Sequence, residues 1–265
     1  MKSNYRYIVK AFMAMAVIAG TTSCDDFLDR EPMSSISPET YYSTAAQLEA
    51  NLNDEYPNVL PSFGQWTYGI FGEDKGTDNQ IEVNANDRYT QDRWKVPHSE
   101  SDNWKFERIY RINFFLSEAL PKFGEDMSGS QNTISGSVAT IKHYIGEMYF
   151  LRAYEYFKKL QLFGDFPIID QPLADEMEAL REASKRFPRN EVARFIISDL
   201  DKAYAYMSDV DMATTRINKD AAMLVKSRVA LFEATWLQNF KGTAFVPGGE
   251  GWPGASLHNN YQYPS

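Results

Sequence analysis

Apolar positions recur at helical spacing along most of the chain and lose that order in two places. From Asp102 to Lys122, Phe106, Ile109, Ile112, Asn113, Leu116 and Leu120 fall on one face, which predicts an amphipathic helix. A loop rich in Gly and Ser follows, Gly124 to Gly136. From Val138 to Phe163, Ile141, Ile145, Met148 and Leu151 mark one side while Tyr149, Ala153, Phe157 and Leu160 mark another. A helix apolar over most of its circumference is buried on all sides, so this segment belongs at the centre of the fold. Gly164, Asp165, Phe166 and Pro167 terminate it. Two further amphipathic helices are predicted: Asn190 to Met207, on Val192, Ile196, Leu200, Ala203 and Met207, and Asn218 to about Phe240, on Val225, Val229, Phe232 and Trp236. Upstream, Ser37, Pro38 and Glu39 supply an N-cap, a proline at the first helical position and an acid in the first turn. A helix is expected from there to about Tyr56, ended by Pro57.

This pattern predicts an all-α fold of stacked helical hairpins, tetratricopeptide-like in style although no exact repeat is visible. The order fails between Pro57 and about Ser101, where Gly and Asn are frequent and Trp66, Tyr68, Phe71, Asp74, Asp78, Asn79, Arg88, Tyr89 and Trp94 interleave rings with charges. A structureless stretch of that length inside a domain is usually functional. It fails again after Phe240, where Gly, Pro, Asn and Tyr dominate, so residues 241–265 are expected to be irregular.

The N-terminus has a different logic. Lys2, Arg6 and Lys10 precede an apolar run from Ala11 to Gly20 and the small residues Thr21, Thr22 and Ser23: a signal peptide over residues 1–23. The run is shorter than the roughly 20 residues needed to span a bilayer. The chain's one cysteine, Cys24, follows immediately and has no internal thiol to pair with. The segment resembles a lipobox, with Thr21 where such boxes carry Leu, and predicts lipidation of Cys24, with more than one acyl chain for stable anchoring. Residues 24–36, acidic and polar, read as an extended tether.

Charge and motifs then remove several classes of function. The chain carries 27 basic and 36 acidic residues, and loss of the signal peptide would leave 24 against 36, so nucleic acid is a poor partner. Gly249, Gly251 and Gly254 match a dinucleotide spacing, but Trp252 and Pro253 interrupt it and no strand precedes it, so it is a loop. His98, His143 and His258 lie far apart, without metal-ligand spacing, and His143 on the central helix reads as a core residue. No nucleophile elbow or phosphate loop appears. Asp74, Asp78 and Asn79 offer oxygen ligands to calcium but lack a calcium-loop spacing, so no cofactor is expected beyond that cluster.

Taken in order, Ser23, Cys24, Asp25, Asp26, Phe27, Leu28 and Asp29, then Pro32, then Ile36 to Tyr42, resemble the start of SusD/RagB family outer-membrane lipoproteins. The resemblance continues through Trp104, Ile109, Tyr110, Ile112 and Asn113; Glu147, Arg152, Ala153, Tyr156 and Phe157; Leu162 to Pro167; and Arg216, Asn218, Ala221, Ala222, Lys226, Arg228 and Ala230. It implies a SusD-like helical domain over residues 37–240, displayed on the cell surface, that binds glycans or similar nutrients, partners a SusC-like TonB-dependent transporter and catalyses nothing. Asp25 and Asp26 are similar to surface-export signals of such lipoproteins. Family members continue with a C-terminal half, of which residues 241–265 would be the beginning.

Sugars present flat apolar faces and hydroxyl rims, so their sites pair aromatic platforms with acids, amides or Arg. The stretch from Trp66 to Trp94 has that composition and lies where the family contributes N-terminal binding residues. Trp66, Tyr68, Asp74, Asp78, Asn79, Arg88 and Trp94 are the expected ligand contacts, whereas Tyr149, Tyr154, Tyr156 and Phe157 are expected in the core. The alternatives are a helical adaptor that binds only proteins and a glycoside hydrolase using two of the many carboxylates.

Overall fold

Helices account for most of residues 41–61, 80, 103–124, 126–208, 212–259 and 261, which a computed structural model describes. They are α1 (Ala45–Val59), α2 (Glu107–Phe123), α3 (Val138–Phe163), α4 (Met177–Ala183), α5 (Arg189–Tyr206) and α6 (Lys219–Asn239), followed by a 3-10 turn at Pro253–Ser256. Contacts divide the chain into Met1–Tyr41 and Tyr42–Ser265, and all six helices lie in the second unit. Extended backbone pairs at isolated bridges, among them Thr44 with Ser135 and Phe166 with Phe187. The architecture is all-α. None of the described helices is long and apolar enough to cross a membrane.

The core is built around α3, which packs against α1, α2 and α5, while α6 packs on α5. The apolar circumference explains this: Ile141, Ile145, Met148 and Leu151 are fully buried, and so are Ala153, Tyr156 and Leu160 on other faces. Tyr149 and Phe157 join them, and Tyr154 is half-buried. Its ends follow the sequence signals. The Ser137 hydroxyl accepts the Thr140 N–H, and Gly164, at φ 68°, turns the chain out of the helix. At Gly146 the crossing with α5 is so close that a Cβ would lie 2.8 Å from the Met207 nitrogen and 2.9 Å from the Ala203 carbonyl oxygen.

Four expectations are revised. A single helix to Tyr56 is broken by a turn at Tyr42 and Ser43, and α1 starts afresh from Thr44 (Ser37 to Glu39 lie outside the described residues). Thr44 and Gln47 form a reciprocal capping box there, with Gln47 Oε1 accepting the Thr44 N–H at 3.0 Å. Pro57 does not end α1. It sits in the last turn, where it forgoes one hydrogen bond, and the helix runs on to Val59. Helix α2 starts at Glu107, several residues after Asp102. Helix α4 was not expected, and none of its seven residues is buried.

Candidate functional site

The residues expected to touch ligand, Trp66, Tyr68, Asp74, Asp78, Asn79, Arg88 and Trp94, lie outside the described residues, as do Cys24 and the acidic tether. The chain on either side of them is described, and both ends meet α3. Lys158 donates to the Val59 carbonyl at the end of α1, and the adjacent Lys159 donates to the Asn103 carbonyl at 2.7 Å, just before α2. Between them stands the buried Glu155, with Lys159 at 3.3 Å, Lys158 at 3.6 Å and Arg108 of α2 at 3.9 Å. Burial pushes the Lys158 ammonium below its ordinary pKa, opposed by Glu155. One carboxylate and three cations thus gather the end of α1 and the chain just before α2 against one turn of the central helix.

The residues that carry the family resemblance form buried polar networks. Arg152 on α3 makes a bidentate pair with Asp199 on α5, 2.6 Å from Nε and 2.8 Å from Nη2, and its Nη1 donates to Asn113 Oδ1 and the Asp170 carbonyl, both at 2.9 Å. Its guanidinium lies between the rings of Tyr149 and Phe195, 5.3 and 5.2 Å from their centroids. Burial pushes the Tyr149 hydroxyl up to about 12. One turn earlier, Glu147 accepts two bonds from Arg216, each 2.8 Å, and a third from the Tyr56 hydroxyl at 2.6 Å. Burial and then the Glu147 charge push the Tyr56 hydroxyl far above its usual range. His143 is buried as expected: Nδ1 accepts the Ser208 N–H, which places a ring proton on Nε2, 3.0 Å from the Ile217 carbonyl and 3.0 Å from Glu147 Oε1.

A third network closes the opposite end of α3. Asp165 accepts the Arg189 N–H at 2.9 Å and the Trp252 indole N–H at 2.7 Å, tying the start of α5 to the chain beyond α6. Burial raises the Asp165 pKa against these two donors. Arg189 in turn donates three bonds to Glu233 of α6 and lies 4.1 Å over the Trp236 ring. Sequence reasoning missed Asp199, Glu233, Arg189 and Lys159 as polar core residues. The i, i+4 pairs His143/Glu147 and Glu155/Lys159 have the spacing of surface ion pairs, and only the all-round apolar character of α3 could have marked them as buried.

Chemically, these networks join helices. Most of their donors and acceptors bond one another. Among the described residues, Glu155 Oε2 is buried without a hydrogen bond, and no group of three or more His, Cys, Asp or Glu could hold a metal ion.

Residues 26–231 match the model of the SusD-like family described as starch-binding and associating with the outer membrane. Two SusD-like proteins of Formosa agariphila, P2 and P25, are each 25% identical, over 91% and 81% of this chain but 46% and 41% of their own lengths. The chain thus spans less than half of each of these curated relatives. A SusD-like protein of Bacteroides fragilis superposes with a TM-score of 0.55 at 22% identity, covering 80% of this chain and 39% of that one, and shows the same fold. With a family match across most of its length, the chain belongs to the SusD-like family.

Proposed function

We propose that this protein captures glycans or related nutrients at the cell surface and delivers them to a SusC-like TonB-dependent transporter of the outer membrane, and that it catalyses no reaction. The observation that carries this reading is the match of residues 26–231 to a family described as starch-binding and outer-membrane-associated. Cys24 supports lipid anchoring, because it stands alone in the chain directly after the signal-like segment, and Asp25 and Asp26 favour outward display. Trp66, Tyr68, Asp74, Asp78, Asn79, Arg88 and Trp94 are the proposed ligand contacts. Their composition suits a sugar's apolar face and hydroxyl rim, and the anchoring of both ends of their segment by Lys158 and Lys159 suits a binding element that must hold its shape.

Two measurements on the full chain test this. A glycan array should show selective binding of at least one glycan class without turnover, and a pull-down from native membranes should recover a TonB-dependent transporter. A transporter with no bound glycan would favour the adaptor reading, and release of shortened glycan would favour a hydrolase. The reading needs no cofactor. A calcium ion on Asp74, Asp78 and Asn79 would show itself as binding lost in chelator.

A further inference from the structure

Beyond α6 the chain folds back in successive turns against the ends of α3 and α5. Val246 and Trp252 are buried in this return, and His258 Nε2 donates to the Arg186 carbonyl at 2.8 Å. Between the turns and the helix ends lies an open cleft of about 470 Å³, within the size range of small-molecule sites. Leu162, Phe163, Arg186, Trp236, Phe245 and Leu257 line it.

Two properties make this cleft more than a gap between segments. It presents apolar surface: the Trp236 indole donates to the Phe245 carbonyl at 3.1 Å, and Phe245 is left 62% exposed. It also holds one guanidinium without a counter-charge in contact. Neighbouring Arg181 is paired with Glu178, Lys185 with Glu182, and Arg189 with Glu233. The Arg186 side chain makes no hydrogen bond or ion pair among the described residues, and the carboxylate whose charge it feels, Asp165 on the cleft wall, is held by the Arg189 N–H and the Trp252 indole. The Arg186 guanidinium carbon lies 4.6 Å from the centre of the Trp104 ring, and the residue is exposed. An exposed guanidinium held against a ring, with unused N–H donors, suits a planar oxyanion.

We propose that this cleft is a second ligand subsite that binds uronic acid residues of a glycan, with the carboxylate in the Arg186 fork and the apolar sugar face against Phe245 and Trp236. The proposal rests on the glycan-binding reading above but uses none of the residues between Trp66 and Trp94. Calorimetry of the full chain with tetragalacturonate, and with maltotetraose as the neutral comparator, tests it. Tetragalacturonate should still bind a Trp66→Ala/Trp94→Ala chain, weaken at least tenfold on Arg186→Ala, and weaken on Phe245→Ala. Both of the latter substitutions are at exposed side chains, so melting temperatures should not change. Maltotetraose binding should not respond to Arg186→Ala. Equal affinity of the wild type and Arg186→Ala for tetragalacturonate, or its loss in Trp66→Ala/Trp94→Ala, would overturn the subsite while leaving glycan capture standing. If the wild type binds no glycan of either kind, the broader reading fails with it.

Discussion

Replacing Arg152 with Ala would remove a side chain that is 3% exposed and break two bonds to Asp199, one to Asn113 and one to the Asp170 carbonyl. Asp199, fully buried, would keep among the described residues only Lys202 at 3.7 Å, whose side chain is 44% exposed. Breaking a buried ion pair by deleting one member costs about 3–5 kcal/mol. The orphaned Asn113 and Asp170 oxygens add about 1 kcal/mol each where water cannot reach them. A loss of about 5 kcal/mol is expected, and at a urea slope of about 2 kcal/mol/M the midpoint should fall by about 2.5 M. Whole-domain stabilities are about 5–15 kcal/mol, so the variant would be close to unfolding at room temperature. Arg152→Met combined with Asp199→Leu removes both charges and should recover most of the loss. Urea titrations followed by fluorescence and far-UV circular dichroism, on wild type, both single variants and the double, measure this as a double-mutant cycle. A loss below about 1 kcal/mol for Arg152→Ala, the value for a solvated pair, would refute the assignment of Arg152 as a buried strut.

Glu155→Gln would leave Arg108, Lys158 and Lys159 clustered without their anion. A loss of about 3 kcal/mol and faster hydrogen exchange around residues 59–61 and 103–106 are expected, and unchanged exchange would argue against the clamp. At Glu55, burial raises the carboxyl above its ordinary pKa of 4.5. The folded state therefore binds that proton more tightly than the unfolded state, and the associated stability is full below pH 4.5 and lost as pH rises through the folded value. Glu55→Gln should accordingly gain on wild type between pH 4.5 and 7 in denaturation at each pH, whereas a difference that is flat or falls with pH would contradict this. Gly146→Ala would stabilise an exposed helix by about 1 kcal/mol, but the new methyl would meet Ala203 of α5 and Met207 just after it. The expected net result is a loss of about 1–3 kcal/mol, and a raised melting temperature would disprove the close crossing.

The parts of the fold legible in the sequence are those written in local chemistry. The bounds of α3 follow from Ser137, Gly164 and an apolar circumference, and the start of α6 follows from the Asn218 cap. The break before α1 was also legible in Thr44 and Gln47, but the stronger-looking Ser37, Pro38 and Glu39 signal obscured it. Helix α4 left no trace because it buries nothing, so it imposes no apolar period. The polar networks were illegible for a different reason. The partners of Arg152, Glu147 and Arg189 lie 47, 69 and 44 residues away in the chain, and no spacing rule links them. Arg186 differs from Arg181 and Lys185 only in what stands beside it in space.

Whether the segment from Trp66 to Trp94 binds a sugar is decided by calorimetry of the full chain against the glycan selected on an array. Two aromatic platforms at about 0.5–1.5 kcal/mol each beyond their buried area predict a weakening of about tenfold or more for Trp66→Ala/Trp94→Ala. Its melting temperature should match that of the wild type. Undiminished affinity in that variant would exclude Trp66 and Trp94 from the sugar site.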